Sequence, residues 1–154
     1  MVTKRNIDKT IRILKREVRR WEEPIVGHYR HDPFSTLISC LLSLRTKDAT
    51  THAASKRLFA LARTPQAMQR LPARVIERAI FPVGFYRTKA RTIQQICRTL
   101  LTRYEGKVPS DLDELLSLKG VGRKTANLVV TLAYRKPGIC VDTHVHRISN
   151  RWGY

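Results

Sequence analysis

The chain has 154 residues, enough for one compact domain with a real core, or one domain and part of another. Its three cysteines (Cys40, Cys97, Cys140) form neither a C-x-x-C pair nor a zinc spacing, no metal site is expected, and no apolar run approaches the roughly 20 residues of a membrane span. With no signal-peptide pattern in MVTKRNIDKT, these features set aside disulfide scaffolds, zinc modules and membrane proteins, and a net charge of +18 spread along the chain calls for a polyanionic partner, nucleic acid before an anionic membrane surface.

Ile7, Ile11, Leu14, Val18 and Trp21 recur at three- and four-residue intervals and predict a first amphipathic helix whose other faces carry lysine and arginine. Asp32-Pro33 is an N-cap followed by proline at the first helical position, and Phe34, Leu37, Ile38, Leu41 and Leu42 give the next helix its buried face. A third helix is expected over 47–62 with Ala53, Leu58 and Leu61 inward. Thr64-Pro65 then restarts a short helix carrying Met68 and Leu71, and another runs over 73–80.

Pro82 and Gly84 interrupt the pattern before Ala90, Ile93, Ile96, Leu100 and Tyr104 form a long stripe ended by Gly106. Ser110 is a cap for a helix carrying Leu112, Leu115 and Leu116, with Asp111 and Asp113 suited to its dipole. Helix resumes near Arg123, continues to about Tyr134, stops at Pro137-Gly138 and begins again after Asp142. No period-two strand pattern appears, and the fold class is all-α.

The segment from Leu118 to Ala126 joins two helical patterns through Gly120, Val121 and Gly122. Two glycines let the backbone turn tightly and present successive N–H groups at a helix start, which suits a phosphate; two glycines between helices also serve as a plain connector. Arg123 and Lys124 follow in the first turn, where positive charge opposes the helix dipole by about 0.3–1 kcal/mol each, so local helix chemistry does not select them. A phosphate would offset both. For Lys124 the positive helix end, neighbouring Arg123 and partial burial also favour the neutral amine, a nucleophile toward aldehyde-like carbon. Asp142 before a helix reads as an N-cap.

G-V-G followed by R-K-T-A and lying 15 residues before V-D-T-H-V-H-R resembles the helix-hairpin-helix DNA glycosylases, specifically the endonuclease III family. The likeness extends through LLS-x-R-T-K-D at 41–48, PVGFYRTKA at 82–90, GKVPSDLDELLSLKGVGRKTAN at 106–127 and VDTHVHRISNR at 141–151; Lys119 stands where the family commonly has proline. The resemblance implies a multi-helix barrel domain over 26–136 with its hairpin at 118–126. It also implies an incomplete second helical domain, made from a leading helix in 1–25 and a return over 137–154. Family members carry a 4Fe–4S cluster on four grouped cysteines; this chain lacks that part, so no cofactor is expected in it and it reads as a fragment of a longer protein.

The activity implied is excision of oxidised pyrimidines from double-stranded DNA with abasic-site lyase chemistry, by a monomer in the cytoplasm, at the nucleoid, or in a nucleus. Lys124 would be the nucleophile, against a phosphate-binding role. Asp142 would assist it, while Gly120, Val121, Gly122, Arg123, Thr125, Thr143 and His144 would hold DNA. Extruding a nucleotide leaves a gap to fill. Phe85 with Val83 matches the wedge, though an aromatic in a loop also suits a core. Arg45 matches the gap-filling position, or contacts phosphate, and Asp48 reads the extruded pyrimidine or simply begins a helix. The alternatives are an oxidised-purine glycosylase on the same scaffold and a DNA-binding module without catalysis.

Overall fold

The structure, a computed structural model, describes residues 4–21 and 25–153. Residues 1–3, 22–24 and 154 lie outside the described residues, and with them the outer ends of the expected terminal segments. Nine α-helices and no strand occur among the described residues. The chain divides into two compact units, one formed by Met1–Glu23 with Val141–Tyr154 and one by Pro24–Cys140.

The larger unit is organised around α2 (Pro33–Ser43). Asp32 caps it by accepting the Ser35 N–H at 3.1 Å, and Pro33 takes the first helical position, where a missing N–H costs nothing. Every residue from Phe34 to Leu42 is buried, so the helix is covered on all sides, and its polar members find partners inside: Thr36 Oγ1 donates to Tyr29 O at 2.8 Å. Around it pack α3 (Asp48–Leu61), α6 (Tyr86–Arg103) and α8 (Arg123–Leu128).

The short helices α4 (Pro65–Arg70) and α5 (Ala73–Ile80) lie against α6, and α7 (Leu112–Ser117) lies against α8. Thr64 caps α4 through the Ala67 N–H, while Ala90, Ile93, Ile96 and Leu100 bury the predicted stripe of α6. Gly106 follows α6 with φ +78°, a left-handed turn that favours glycine.

Two local expectations are corrected. On α3, Ala53 and Leu61 are exposed while Thr51, Ala54, Ser55, Leu58 and Phe59 turn inward: three of these five are small or weakly apolar, so hydrophobicity is a poor guide to that face. The cap of α7 is Asp111, whose Oδ1 accepts from the Asp113 and Glu114 N–H groups; Ser110 instead receives Lys136 Nζ on its hydroxyl at 2.7 Å. The helix expected from Arg123 to about Tyr134 is present, its last part wound as a π turn over Val129–Ala133, a local widening that recurs near functional sites.

The smaller unit contains α1 (Lys4–Glu17), continued by a 3-10 turn over Val18–Arg20, and α9 (Thr143–Trp152). Trp21 lies beyond the helical turns in extended backbone. Neither helix buries a described side chain: Ile11, Leu14 and Val18 of the predicted stripe are exposed, as are Val145 and Ile148 on α9.

Candidate active site and nucleic-acid interface

The hairpin is anchored from within. Leu118 and Val121 are buried, and the Val121 N–H donates to Leu118 O at 3.1 Å, closing the turn. The two glycines answer to different constraints. Gly120 has φ +81°, and a Cβ there would stand 2.7 Å from Thr92 Cγ2 on α6, so both backbone and packing demand glycine. At Gly122, a Cβ would meet nothing within 4 Å. The open space beside Gly122 leaves the backbone approachable from outside at the N-terminus of α8, where no side chain caps the first turn.

Arg123 is exposed, Lys124 is half-buried and Thr125 is buried. Thr125 and Val121 are buried, so either would meet a bound phosphate through its backbone rather than its side chain. Cys140 Sγ lies 3.8 Å from the carbonyl oxygen of Lys124, and Cys40 on α2 senses both: burial pushes its thiol up to about 12, Cys140 adding to the rise and Lys124 opposing it.

A second cluster joins the loop after α2 to the loop before α6. Arg45 (φ +52°) and Phe85 (φ +57°) are both in the left-handed region, which non-glycine residues seldom occupy, and the Arg45 guanidinium carbon stands 5.7 Å from the centre of the Phe85 ring. Phe85 is 63% exposed, so it is no core residue. Val83 is 1% exposed and packs in the core; its side chain cannot enter a duplex, and the wedge expectation narrows to Phe85. Asp48 is exposed in the first turn of α3, where a carboxylate suits the dipole.

Lys89, unremarked in the sequence, lies beneath these loops. It is 6% exposed, and its Nζ donates to Leu42 O at 2.9 Å, Leu44 O at 2.6 Å and Thr46 Oγ1 at 3.4 Å. Burial lowers its pKa to about 8. The available signal was register: Lys89 stands four residues before Ile93 and seven before Ile96, on the buried stripe. Arg57 on α3 donates to Ala79 O at 2.8 Å and to Phe81 O, holding the end of α5. An open groove of about 340 Å³ beside it is lined by Arg74, Glu77, Arg78, Phe81, Tyr86 and Arg87.

In the smaller unit, Asp142 caps α9 by accepting the His144 and Val145 N–H groups at 3.0 and 2.9 Å. Thr143 and His144 are exposed in that first turn, but the His144 amide is already engaged by Asp142.

Among the described residues no group of three or more His, Cys, Asp or Glu could hold a metal ion. Cluster ligands are thiolates, whereas Cys40 and Cys97 are buried thiols pushed up to about 12, so the cysteines present do not fit a four-cysteine iron–sulfur site. No helix among the described residues is long and apolar enough to cross a membrane.

Residues 38–154 match the model of the HhH-GPD superfamily base excision DNA repair proteins. The chain is 39% identical over 146 residues to endonuclease III of Escherichia coli K12, covering 95% of this chain and 69% of that one. It belongs to this superfamily and, within it, to the endonuclease III family. Endonuclease III of Thermotoga maritima is 50% identical over 128 residues, 83% of this chain, and the match spans 60% of that relative's length. A solved trapped endonuclease III–DNA covalent intermediate superposes with a TM-score of 0.88 at 42% identity, covering 99% of this chain and 70% of the other.

Proposed function

We propose that the chain carries the catalytic core of a DNA glycosylase and abasic-site lyase that removes oxidised pyrimidines from duplex DNA, with Lys124 as nucleophile. The observation that carries this reading is Lys124, half-buried in the first turn of α8 directly after the open backbone of Gly122, in a chain similar to an endonuclease III trapped covalently on DNA.

Amides at the start of α8, with Arg123, hold a phosphate of the lesion strand and bring the extruded sugar toward Lys124. The Nζ lone pair forms a bond to C1′ as the C1′–N bond to the damaged base breaks, and the base leaves with a proton from the amine. Opening of the sugar gives an iminium, the Schiff base. Loss of a C2′ proton then expels the 3′ phosphate by β-elimination, and water releases Lys124. Asp142 assists by activating the amine or by offsetting positive charge on the sugar. Phe85 enters the duplex beside the orphaned base, Arg45 fills the vacated space, Asp48 reads the pyrimidine, and Thr143 and His144 contact phosphate. The opposing strand and its lesion-bearing partner make duplex DNA the substrate, in keeping with the excess of basic residues.

Borohydride reduction of the chain on DNA bearing an abasic site or thymine glycol should leave a covalent adduct, and Lys124→Ala should lose it. An undiminished adduct in that variant would remove Lys124 from the role. A second reading is favoured by the failure of α1 and α9 to bury any described side chain: binding without chemistry. It predicts salt-sensitive affinity, log K falling by about 0.9 per neutralised phosphate per log unit of salt, and no adduct.

A further inference from the structure

The wedge and gap-filling residues sit on two loops separated by a whole set of helices in sequence, yet to open a duplex they have to act together. Arg45 follows the C-terminus of α2, and Phe85 precedes the N-terminus of α6. Both hold left-handed backbone, a conformation that persists only where the surroundings over-determine it. What over-determines it is a small polar network, complete in itself.

The Thr46 hydroxyl donates its one hydrogen to Leu44 O at 3.2 Å and accepts twice, from the Gly84 N–H at 3.2 Å and from Lys89 Nζ at 3.4 Å. The three N–H bonds of the Lys89 ammonium meet three acceptors, Leu42 O, Leu44 O and Thr46 Oγ1. Two of these are carbonyls at the negative end of α2, where a cation is favoured. Gly84 completes the fit: a Cβ there would lie 2.7 Å from Arg45 O, so only glycine lets the two loops close on one another. The backbone carrying Arg45 and the backbone carrying Phe85 are thus tied through one hydroxyl and one buried ammonium.

We infer that Lys89 and Thr46 are positioning residues that lock the Arg45 and Phe85 loops into a single rigid wedge for nucleotide extrusion. This rests on the proposed DNA reading, which assigns Arg45 and Phe85 to the duplex. Neither Lys89 nor Thr46 touches the reacting atoms; they act by fixing the separation and direction of the two side chains that enter the stack.

The discriminating substrate pair is one abasic-site oligonucleotide presented single-stranded and in duplex. A single strand needs no wedge. Lys89→Met and Thr46→Ala should form the borohydride adduct on the single strand within about twofold of wild type, and lose about tenfold on the duplex. Thr46→Ser, which keeps the hydroxyl, should restore duplex trapping. With 2-aminopurine placed opposite the abasic site, wild type and Thr46→Ser should raise its fluorescence on binding, and the two disruptive variants should not. An unchanged ratio of duplex to single-strand trapping in both Lys89→Met and Thr46→Ala overturns the inference, and so does equal loss on both substrates, which marks a purely structural network. The fluorescence arm separates this from the catalytic reading: wild type that unstacks 2-aminopurine but never forms an adduct defeats the lyase and supports the wedge if Thr46→Ala abolishes unstacking. Wild type that does neither defeats both.

Discussion

The helices α2 and α9 begin alike and end in opposite circumstances. Each is capped by an aspartate accepting backbone N–H near 3 Å, one such group at Asp32 for α2 and two at Asp142 for α9. From there α2 buries nine consecutive residues, while α9 buries none. Good local chemistry thus starts a helix but does not supply its stability, which comes mostly from the face it packs. The larger unit has that packing within itself; α1 and α9 leave most of their apolar residues exposed, Ile11, Leu14, Val145 and Ile148 among them.

The largest expected effect lies at the centre of α2. Leu37 is 0% exposed, and Leu37→Ala should cost about 2–5 kcal/mol in denaturant unfolding, whereas Ile148→Ala, on the open face of α9, should stay within about 0.5 kcal/mol. Comparable losses would erase the contrast between the two helices.

Lys89 gives the next effect, through pH. Its pKa in the folded chain is about 8, against 10.5 ordinarily, so between these values the unfolded chain holds a proton that the folded chain has released. Stability relative to Lys89→Met, which lacks the group, should therefore rise through that window. Unfolding midpoints of the two proteins measured from pH 7 to 10.5 test the sign; parallel curves would refute it.

The smallest effect isolates the caps. Asp32→Ala should cost about 1 kcal/mol in the unfolding of the larger unit. Asp142→Ala should fray α9, visible as faster amide exchange at His144 and Val145, while leaving the α2 amides protected.

Much of the fold was legible because helix starts are written in short-range chemistry. Asp32-Pro33 and Thr64-Pro65 act through neighbours three residues away or fewer, and α5 spans the expected 73–80. The inward face of α3 was not legible, since Thr51, Ala54 and Ser55 are small and weakly apolar and their burial is decided by the elements packed around the helix. The π turn after Leu128 is a local widening that the helix propensities of Val129 and Val130 do not signal. In the candidate site, motif residues such as Gly120 and Lys124 stand together in the sequence, so their grouping was visible. Lys89 was not, because a lysine reads as surface until three oxygen acceptors are brought to it from a loop more than forty residues away.

The thiol of Cys40 has a consequence for chemoselectivity. An abasic site carries a reactive aldehyde, which thiolates attack as readily as amines do, and Cys40 is close enough to Lys124 to feel its charge. Held up to about 12 by burial, that sulfur remains a protonated, silent spectator at neutral pH. Under the proposed lyase reading, this buried sulfur near Lys124 therefore offers the aldehyde no competing adduct.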